Sequence, residues 1–188
     1  MSTVMAYYDQ GMGYPDNNWG LEGPTHDFSA AAQSFQGNGD SIVSCKFRLH
    51  RYGSPTGNVY ARIYAITGSY GTTSKPNGNF ITYLAISDPV AISSITNTAD
   101  TFLWYEFTFS TPYQTTNGTY YCVGIDYILG DDSNNILVAR STGTAGFAGN
   151  ASSGNGVTPT WNAEATDLNF YVYGQAAAAN PGNFFQVL

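Results

Sequence analysis

Apolar and polar residues alternate with a period of two along much of the chain, which is the pattern of a strand that buries one face. The clearest stretch, residues 43–50, places Val43, Cys45, Phe47 and Leu49 on one side and basic residues on the other. This alternation predicts a strand whose apolar side lies against a core.

The segment that follows predicts a tight turn and a second strand. Gly53-Ser54-Pro55-Thr56-Gly57 is made of residues that fix φ or accept a positive φ. Beyond it, Val59, Ala61 and Ile63 alternate with outward residues that include Tyr64. We therefore predict that the two strands form a hairpin.

The same pattern predicts most of the remaining architecture. Further strands are expected at residues 4–8, 30–35, 80–86, 103–109, 119–127, 136–140 and 168–173, with 119–127 central because both of its sides are apolar. Loop-like stretches are residues 10–28, 69–79 and 142–166, and no long amphipathic helix is predicted. The prediction is an all-β chain: a single-domain, antiparallel, jelly-roll-like β-sandwich with long loops. Its parts are an N-terminal arm and loop (residues 1–28), the sandwich (29–174) and an extended C-terminal tail (175–188).

The charge of the chain excludes some classes of binding partner. Only 10% of the residues are charged and the net charge is −7, against about 25% charged residues in an ordinary domain. Nucleic acids and anionic membranes attract clustered Lys and Arg, which this chain lacks. No apolar run reaches the roughly 18 residues of a membrane-spanning helix. A surface of Gly, Ser, Thr, Asn and Tyr favours contact with other protein copies or with sugars.

The N-terminus and the cysteines bear on where the chain works. If Met1 is native, we expect no export by a signal peptide, because residues 1–9 lack a basic segment and an apolar segment. Two interpretations of Cys45 and Cys122 remain open. A disulfide would close a loop of about 77 residues and stabilise by ~4.5 kcal/mol, whereas cytoplasmic synthesis favours two buried free thiols.

Catalytic signatures are weak, so the prediction is a non-enzymatic protein. His26 and His50 are the only histidines, and no serine elbow accompanies them. Glycoside hydrolysis needs two opposed carboxyls; Glu106, beside Trp104, and Asp126 are the strand-borne acids. A jelly-roll glycosidase around Glu106 is therefore the second alternative function.

Bound metals and sugars are the other candidate ligands. Asp131, Asp132 and Asn134 could hold a structural calcium ion, although an Asx-rich turn that caps its own backbone explains the same residues. No other cofactor is predicted. Trp104 and Trp161 could stack on a glycan, so a carbohydrate-binding module is the first alternative function, although aromatic residues of a sandwich mostly serve its core or interfaces.

The two ends of the chain carry the predicted contacts with neighbours, because terminal arms gain order when they dock. The candidate interface residues are Tyr7, Tyr8, Tyr14, Trp19, Phe184, Phe185 and Leu188.

Several motifs together resemble a known group of sandwich modules. They are Ala32-Gln33-Ser34-Phe35, the turn at residues 53–57, the stretches 104–109 and 118–122, and Trp161 followed by Asp167-Leu168-Asn169-Phe170. These are similar to the choice-of-anchor type jelly-roll modules of bacterial surface proteins and tailed-phage structural proteins. The resemblance covers roughly residues 30–174 and brings no catalytic residues with it.

The resemblance implies display on a cell or virion surface, and the absence of an evident signal or anchor segment favours the phage form. We therefore expect a capsid decoration or head-fibre protein, or a small tail adhesin, at the virion surface, with an extracellular location as the alternative. Its expected partners are other virion proteins, the major capsid protein or its own copies in a homo-oligomer, and a cell-surface glycan.

Overall fold

The computed structural model describes residues 1–9, 17–23, 25, 28–99, 101–141 and 146–176. The predicted antiparallel β-sandwich is confirmed. The strands are β1 (Thr3–Tyr8), β2 (Asn17–Leu21), β3 (Ala30–Gln36), β4 (Ser41–Tyr52), β5 (Asn58–Thr67), β6 (Lys75–Pro76), β7 (Ala85–Ile86), β8 (Val90–Ala91), β9 (Leu103–Gln114), β10 (Tyr120–Asp126), β11 (Asn135–Arg140), β12 (Ala151–Asn155), β13 (Thr160–Glu164) and β14 (Phe170–Gln175). One 3-10 turn covers Ile92–Ser94.

The strands form two sheets. Sheet A holds β1, β14, β4, β11 and β2 in that order, with β9 on the other side of β4. Sheet B has the order β13, β12, β3, β10, β5 and β6, and β7 and β8 also pair with β5. Every pairing given for these strands is antiparallel. The chain passes repeatedly from one sheet to the other, as in jelly-roll-like sandwiches.

The main core lies between the inner faces of the sheets. Period-two alternation brings Phe47, Phe107 and Phe170 of sheet A against Ile63 and Val123 of sheet B, all fully buried. Phe47 and Phe107 meet edge to face with their ring centroids 6.1 Å apart, within the range of about 4.5–7 Å for aromatic pairs. Cys45, Phe47 and Leu49 of β4 and the predicted inward residues of β5 thus lie where the alternation places them. The inward position predicted for Val43 is wrong: Ile42 is in the core instead, because the ladder of β4 with β9 shifts register between Ile42 and Ser44.

A second core covers the outer face of sheet B. It contains Ala30, Ala32, Tyr64, Phe80, Cys122 and Trp161. The ring centroid of Trp161 is 5.5 Å from that of Tyr64 and 5.0 Å from that of Phe80, and both contacts are edge to face. Tyr64, which the alternation places outward, therefore points away from the main core as predicted, but other aromatic side chains bury it completely.

The predicted hairpin of β4 and β5 is wrong. β4 pairs with β9, β11 and β14, whereas β5 pairs with β10 and the short strands β6, β7 and β8. Gly53 and Gly57 both have positive φ, of 68° and 90°, and the segment between them leads the chain from one sheet to the other. Alternation shows which residues form a strand, but it contains no information about the partner strand.

Two further expectations are corrected. Residues 142–166 contain the hairpin of β12 and β13, and residues 10–28 contain β2, so neither stretch is only a loop. The predicted strand 80–86 is reduced to Ala85–Ile86, because Phe80 leaves the ladder to pack on Trp161 in the second core.

The cysteines are free and buried. Cys45 lies in the main core and Cys122 in the second core, on opposite sides of sheet B, so they are two buried free thiols and not a disulfide. Burial raises the pKa of both thiols. In the part of the chain that the structure describes, no helix is long and apolar enough to cross a membrane.

Candidate functional site

The outer face of sheet A carries a group of aromatic side chains. Within the described residues, no segment buries this group, whereas Tyr64, Phe80 and Trp161 on the outer face of sheet B are buried. Three neighbouring strands bring Tyr7, Tyr171 and Lys46 into one lateral row, and Glu106 of the next strand extends it. Tyr173 and Trp104 flank this row. We call the six residues Tyr7, Lys46, Trp104, Glu106, Tyr171 and Tyr173 the aromatic face.

The aromatic rings form a ladder. Tyr7 and Tyr171 are stacked with ring centroids 5.3 Å apart and planes 7° from parallel. Tyr171 and Tyr173 are 5.9 Å apart at 11°, and Trp104 meets Tyr171 edge to face at 4.9 Å. The stacked rings cover part of one another's faces, whereas Tyr7 at the end of the ladder remains 57% exposed.

An ion pair lies beside the ladder. Lys46 Nζ is 3.4 Å from Glu106 Oε2 and 5.0 Å from the centroid of the Tyr173 ring. The hydroxyl of Ser44 donates to Glu106 Oε1 at 2.7 Å. Both carboxylate oxygens of Glu106 are thus engaged by neighbours on the same sheet, and the partners are a hydroxyl and an ammonium group rather than a second carboxyl.

Tyr171 also fixes the strand β1 beside it. Its hydroxyl donates to Asp9 Oδ2 at 2.8 Å. Burial, followed by the hydrogen bond to Asp9 and its negative charge, raises the pKa of Tyr171 to about 12. The hydroxyl therefore remains a proton donor at any physiological pH, and this link between the N-terminal strand and β14 is insensitive to pH.

Two of the three tryptophans are not on the surface. Trp161 is only 2% exposed in the second core, so the prediction that it stacks on a glycan is wrong, because Tyr64 and Phe80 already occupy its surroundings. Trp19 is buried, stacks on Phe28 at 6.1 Å and has the Arg140 guanidinium 4.8 Å from its ring centroid. Trp19 is therefore a core residue and is not exposed as the predicted interface residue would be.

The other predicted interface residues differ in their positions. Tyr7 is 57% exposed, whereas its neighbour Tyr8 is partly buried against the main core, which the alternation along β1 explains. Tyr14, Phe184, Phe185 and Leu188 lie outside the described residues, as does His26. Tyr171 and Tyr173 were not among the predicted site residues, although the alternation of Phe170-Tyr171-Val172-Tyr173 could have placed them together on the outer face.

The calcium candidates form a self-contained turn. Asp131 Oδ1 accepts from the backbone N–H of Ser133 at 2.7 Å and from the Asn134 amide at 3.1 Å. Asn134 Oδ1 accepts from the backbone N–H of Ser54 at 2.9 Å. These are the contacts of the Asx turn given as the alternative reading, and they occupy the oxygens that calcium would need. Among the described residues, no group of three or more His, Cys, Asp or Glu side chains could hold a metal ion.

Comparisons of the chain with protein-family models, with curated proteins and with solved structures find no significant match in any of the three.

Proposed function

We propose that the chain is a non-enzymatic structural protein of a tailed-phage virion, a capsid decoration or head-fibre protein or a small tail adhesin. Its partners are other virion proteins, such as the major capsid protein, or further copies of itself. The aromatic face is the surface that makes the contact. The observation that carries the proposal is the half-open ladder of Tyr7, Tyr171, Tyr173 and Trp104 on the outer face of sheet A.

The chemistry of the aromatic face favours a protein partner. Tyrosine and tryptophan combine a large apolar area with a polar tip and are enriched at protein interfaces. Sugar stacking requires a free ring face, and the central ring of the ladder, Tyr171, already stacks on both Tyr7 and Tyr173. The neighbours Lys46 and Glu106 supply the polar rim that surrounds the core of an interface.

The virion assignment rests on sequence character. Because only 10% of the residues are charged, contact between neighbours removes few charged side chains from water, which suits a surface packed among many identical neighbours. The resemblance to phage modules of the choice-of-anchor type supports the same assignment, and it brings no catalytic residues.

The test compares matched aromatic pairs on opposite sides of the sandwich. Particles of the phage that encodes the chain are purified and analysed by mass spectrometry, and recombinant chain is then bound to particles that lack it. We expect the wild-type chain to be a particle component. The double substitution Tyr7→Ser with Trp104→Ser is expected to weaken rebinding at least about tenfold, since buried Tyr and Trp side chains often contribute more than 2 kcal/mol each.

The control is Tyr120→Ser on the outer face of sheet B, where Tyr120 stacks on Tyr70 with ring centroids 4.2 Å apart. This substitution also opens a stacked pair, but it leaves the aromatic face intact, so rebinding should be unchanged. Absence of the chain from the particles would refute the virion assignment. Equal rebinding by all variants would refute the aromatic face as the contact surface.

A further inference from the structure

A pocket of about 300 Å³ opens on the outer side of sheet B, at the end of the sheet where β5 begins and β10 ends. Its lining includes Asn58, Tyr60, Arg62, Asp126, Ile128 and Leu129. We call it the Asp126 pocket. It is separate from the aromatic face, which belongs to the other sheet, and the proposed function does not use it.

The charged groups of the pocket form a fixed pair. Arg62 Nη2 lies 3.2 Å from Asp126 Oδ2, and the two side chains are 13% and 5% exposed. The guanidinium also donates to the backbone carbonyl of Phe80 and lies 4.9 Å from the centroid of the Tyr83 ring. Because these contacts already hold the guanidinium in place, a ligand would meet a preorganised pair and would not have to order it.

Each residue of the pair lines the pocket and also has one polar atom that is covered from solvent and lacks a partner in the described part of the chain. Within the described residues, the buried atoms Arg62 Nε and Asp126 Oδ1 have no hydrogen-bond partner. Buried polar atoms are nearly always paired, so such atoms call for an explanation such as water or a ligand. Burial, partly offset by Arg62, raises the pKa of Asp126 to about 6, so the carboxylate is still mostly ionised at neutral pH.

Apart from Asn58, the remaining lining side chains are apolar or aromatic. Ile128 is 53% exposed and Leu129 is 63% exposed, both on the segment that follows β10, and the Tyr60 side chain lies beside them in the lining. A small ligand that covers such side chains gains from their removal from water. The pocket thus combines an apolar wall with one fixed acceptor group and one fixed donor group.

These features restrict the chemistry of the ligand. Because Arg62 and Asp126 offset each other's charge, a free anion or cation gains little net attraction. Neighbouring hydroxyls, however, can donate to a carboxylate and accept from a guanidinium. A sugar ring presents both such hydroxyls and an apolar C–H face. About 300 Å³ is at the small end of ligand pockets, which fits one ring rather than a chain of rings.

We propose that the Asp126 pocket binds a single neutral sugar ring, as a free sugar or as the terminal or branching residue of a glycan. The walls Tyr60, Ile128 and Leu129 contact its C–H face, and Arg62 and Asp126 bind its hydroxyls.

The test uses the full chain with isotope-labelled Ile and Leu methyl groups and follows their NMR signals. The probes are free glucose, galactose, mannose, rhamnose and N-acetylglucosamine, with glucuronate and glucosamine as charged comparisons. We expect at least one neutral sugar to shift the signals of Ile128 and Leu129 in a saturable way and to bind more tightly than either charged sugar. Leu129→Ser should weaken this binding at least about fivefold and Asp126→Asn at least about tenfold.

The control variant is Leu84→Ser, which removes another exposed leucine, outside this pocket, and should not change the affinity. If Asp126→Asn does not fold, Leu129→Ser still decides, because its side chain is mostly in solvent. The proposal is overturned if no neutral sugar shifts these signals or if Leu129→Ser leaves the affinity unchanged. Tighter binding of a charged sugar, or loss of binding on Trp104→Ala, would also overturn it.

Discussion

The outer faces of the two sheets carry similar side chains but differ in how far these are buried. Each carries an aromatic cluster and an ion pair: Trp104 with Lys46–Glu106 on sheet A, and Trp161 with Arg62–Asp126 on sheet B. On sheet B, Phe80 packs on Trp161, which the β12–β13 hairpin supplies, and together with Tyr64 they form a second core. On sheet A, no segment among the described residues buries the cluster in this way. The same alternation of residues therefore yields a stabilising element on one sheet and a contact surface on the other, depending on what the loops cover.

Replacing each tryptophan by alanine tests this difference most directly and should have the largest effect. Trp161→Ala should lower the free energy of unfolding by about 3–5 kcal/mol, because it leaves a cavity beside Tyr64 and Phe80. Trp104→Ala should cost much less, since part of its ring already contacts water. Urea denaturation followed by circular dichroism measures both values. Equal losses in the free energy of unfolding would show that the two clusters contribute equally to stability, against this comparison.

The buried ion pair on sheet B should make stability depend on pH. Burial raises the pKa of Asp126 from 3.8 to about 6, so the folded state binds this proton more tightly than the unfolded state. Stability from this group is therefore greatest below about pH 4, falls as the pH rises to about 6, and is constant above that. The full shift corresponds to at most ~3 kcal/mol.

Denaturation midpoints of wild type and Asp126→Asn, measured across this pH range, isolate the effect, because other acids titrate in both proteins. The difference in stability between the two should change with pH only in the window from about 4 to about 6. A difference that is independent of pH there would contradict the assignment.

The tight packing of the second core predicts a steric effect of intermediate size. A Cβ atom added at Gly154 would lie 2.5 Å from Phe80 Cε1 and 2.9 Å from the Ala30 Cβ. Gly154→Ala should therefore cost about 1–2 kcal/mol in the free energy of unfolding. Gly20→Ala is the matched control, because the closest atom there is the end of the flexible Glu22 side chain. If Gly20→Ala proves as costly, the loss at Gly154 does not report on this packing.

The smallest effect is expected at the open ion pair. The side chains of Lys46 and Glu106 are 30% and 49% exposed, so Glu106→Gln should change stability by less than about 1 kcal/mol, and high salt should reduce the change further. Thermal denaturation at low and high salt measures it. A glycoside hydrolase activity that this substitution abolishes, without loss of the fold, would refute the non-enzymatic proposal.

The strands themselves were predictable where apolar residues alternate. Residues 43–50, 59–65 and 119–127 became β4, β5 and the central strand β10, because large apolar side chains on one face demand a core. β12 and β13 were not predictable in this way. Ala151-Ser152-Ser153-Gly154 has no apolar alternation, and at Gly154, which pairs with Ala30, Phe80 leaves no room for a Cβ atom.

The neighbours of each strand were harder to predict than the strands themselves. The alternation in β5 places Tyr64 outward, but only the position of Phe80 and Trp161 shows that this outward side is covered. Three residues of the aromatic face, Tyr7, Trp104 and Glu106, were candidates in the sequence, but for separate roles: contact by a terminal arm, glycan stacking and catalysis. Joining them to Tyr171 requires the pairing of β1 with β14 and of β14 with β4, which connects residues far apart in the sequence.

The position of β4 has a consequence for synthesis of the chain. This strand is made early, yet its partners β9, β11 and β14 are all translated later, and β14 ends at Gln175. Until residues near 175 leave the ribosome, β4 exposes backbone hydrogen-bonding groups that any other extended chain can pair with. Folding of this protein is therefore expected to be slow, because the entropic cost of long loops precedes the pairing energy, and a nascent chain truncated before β14 is expected to aggregate.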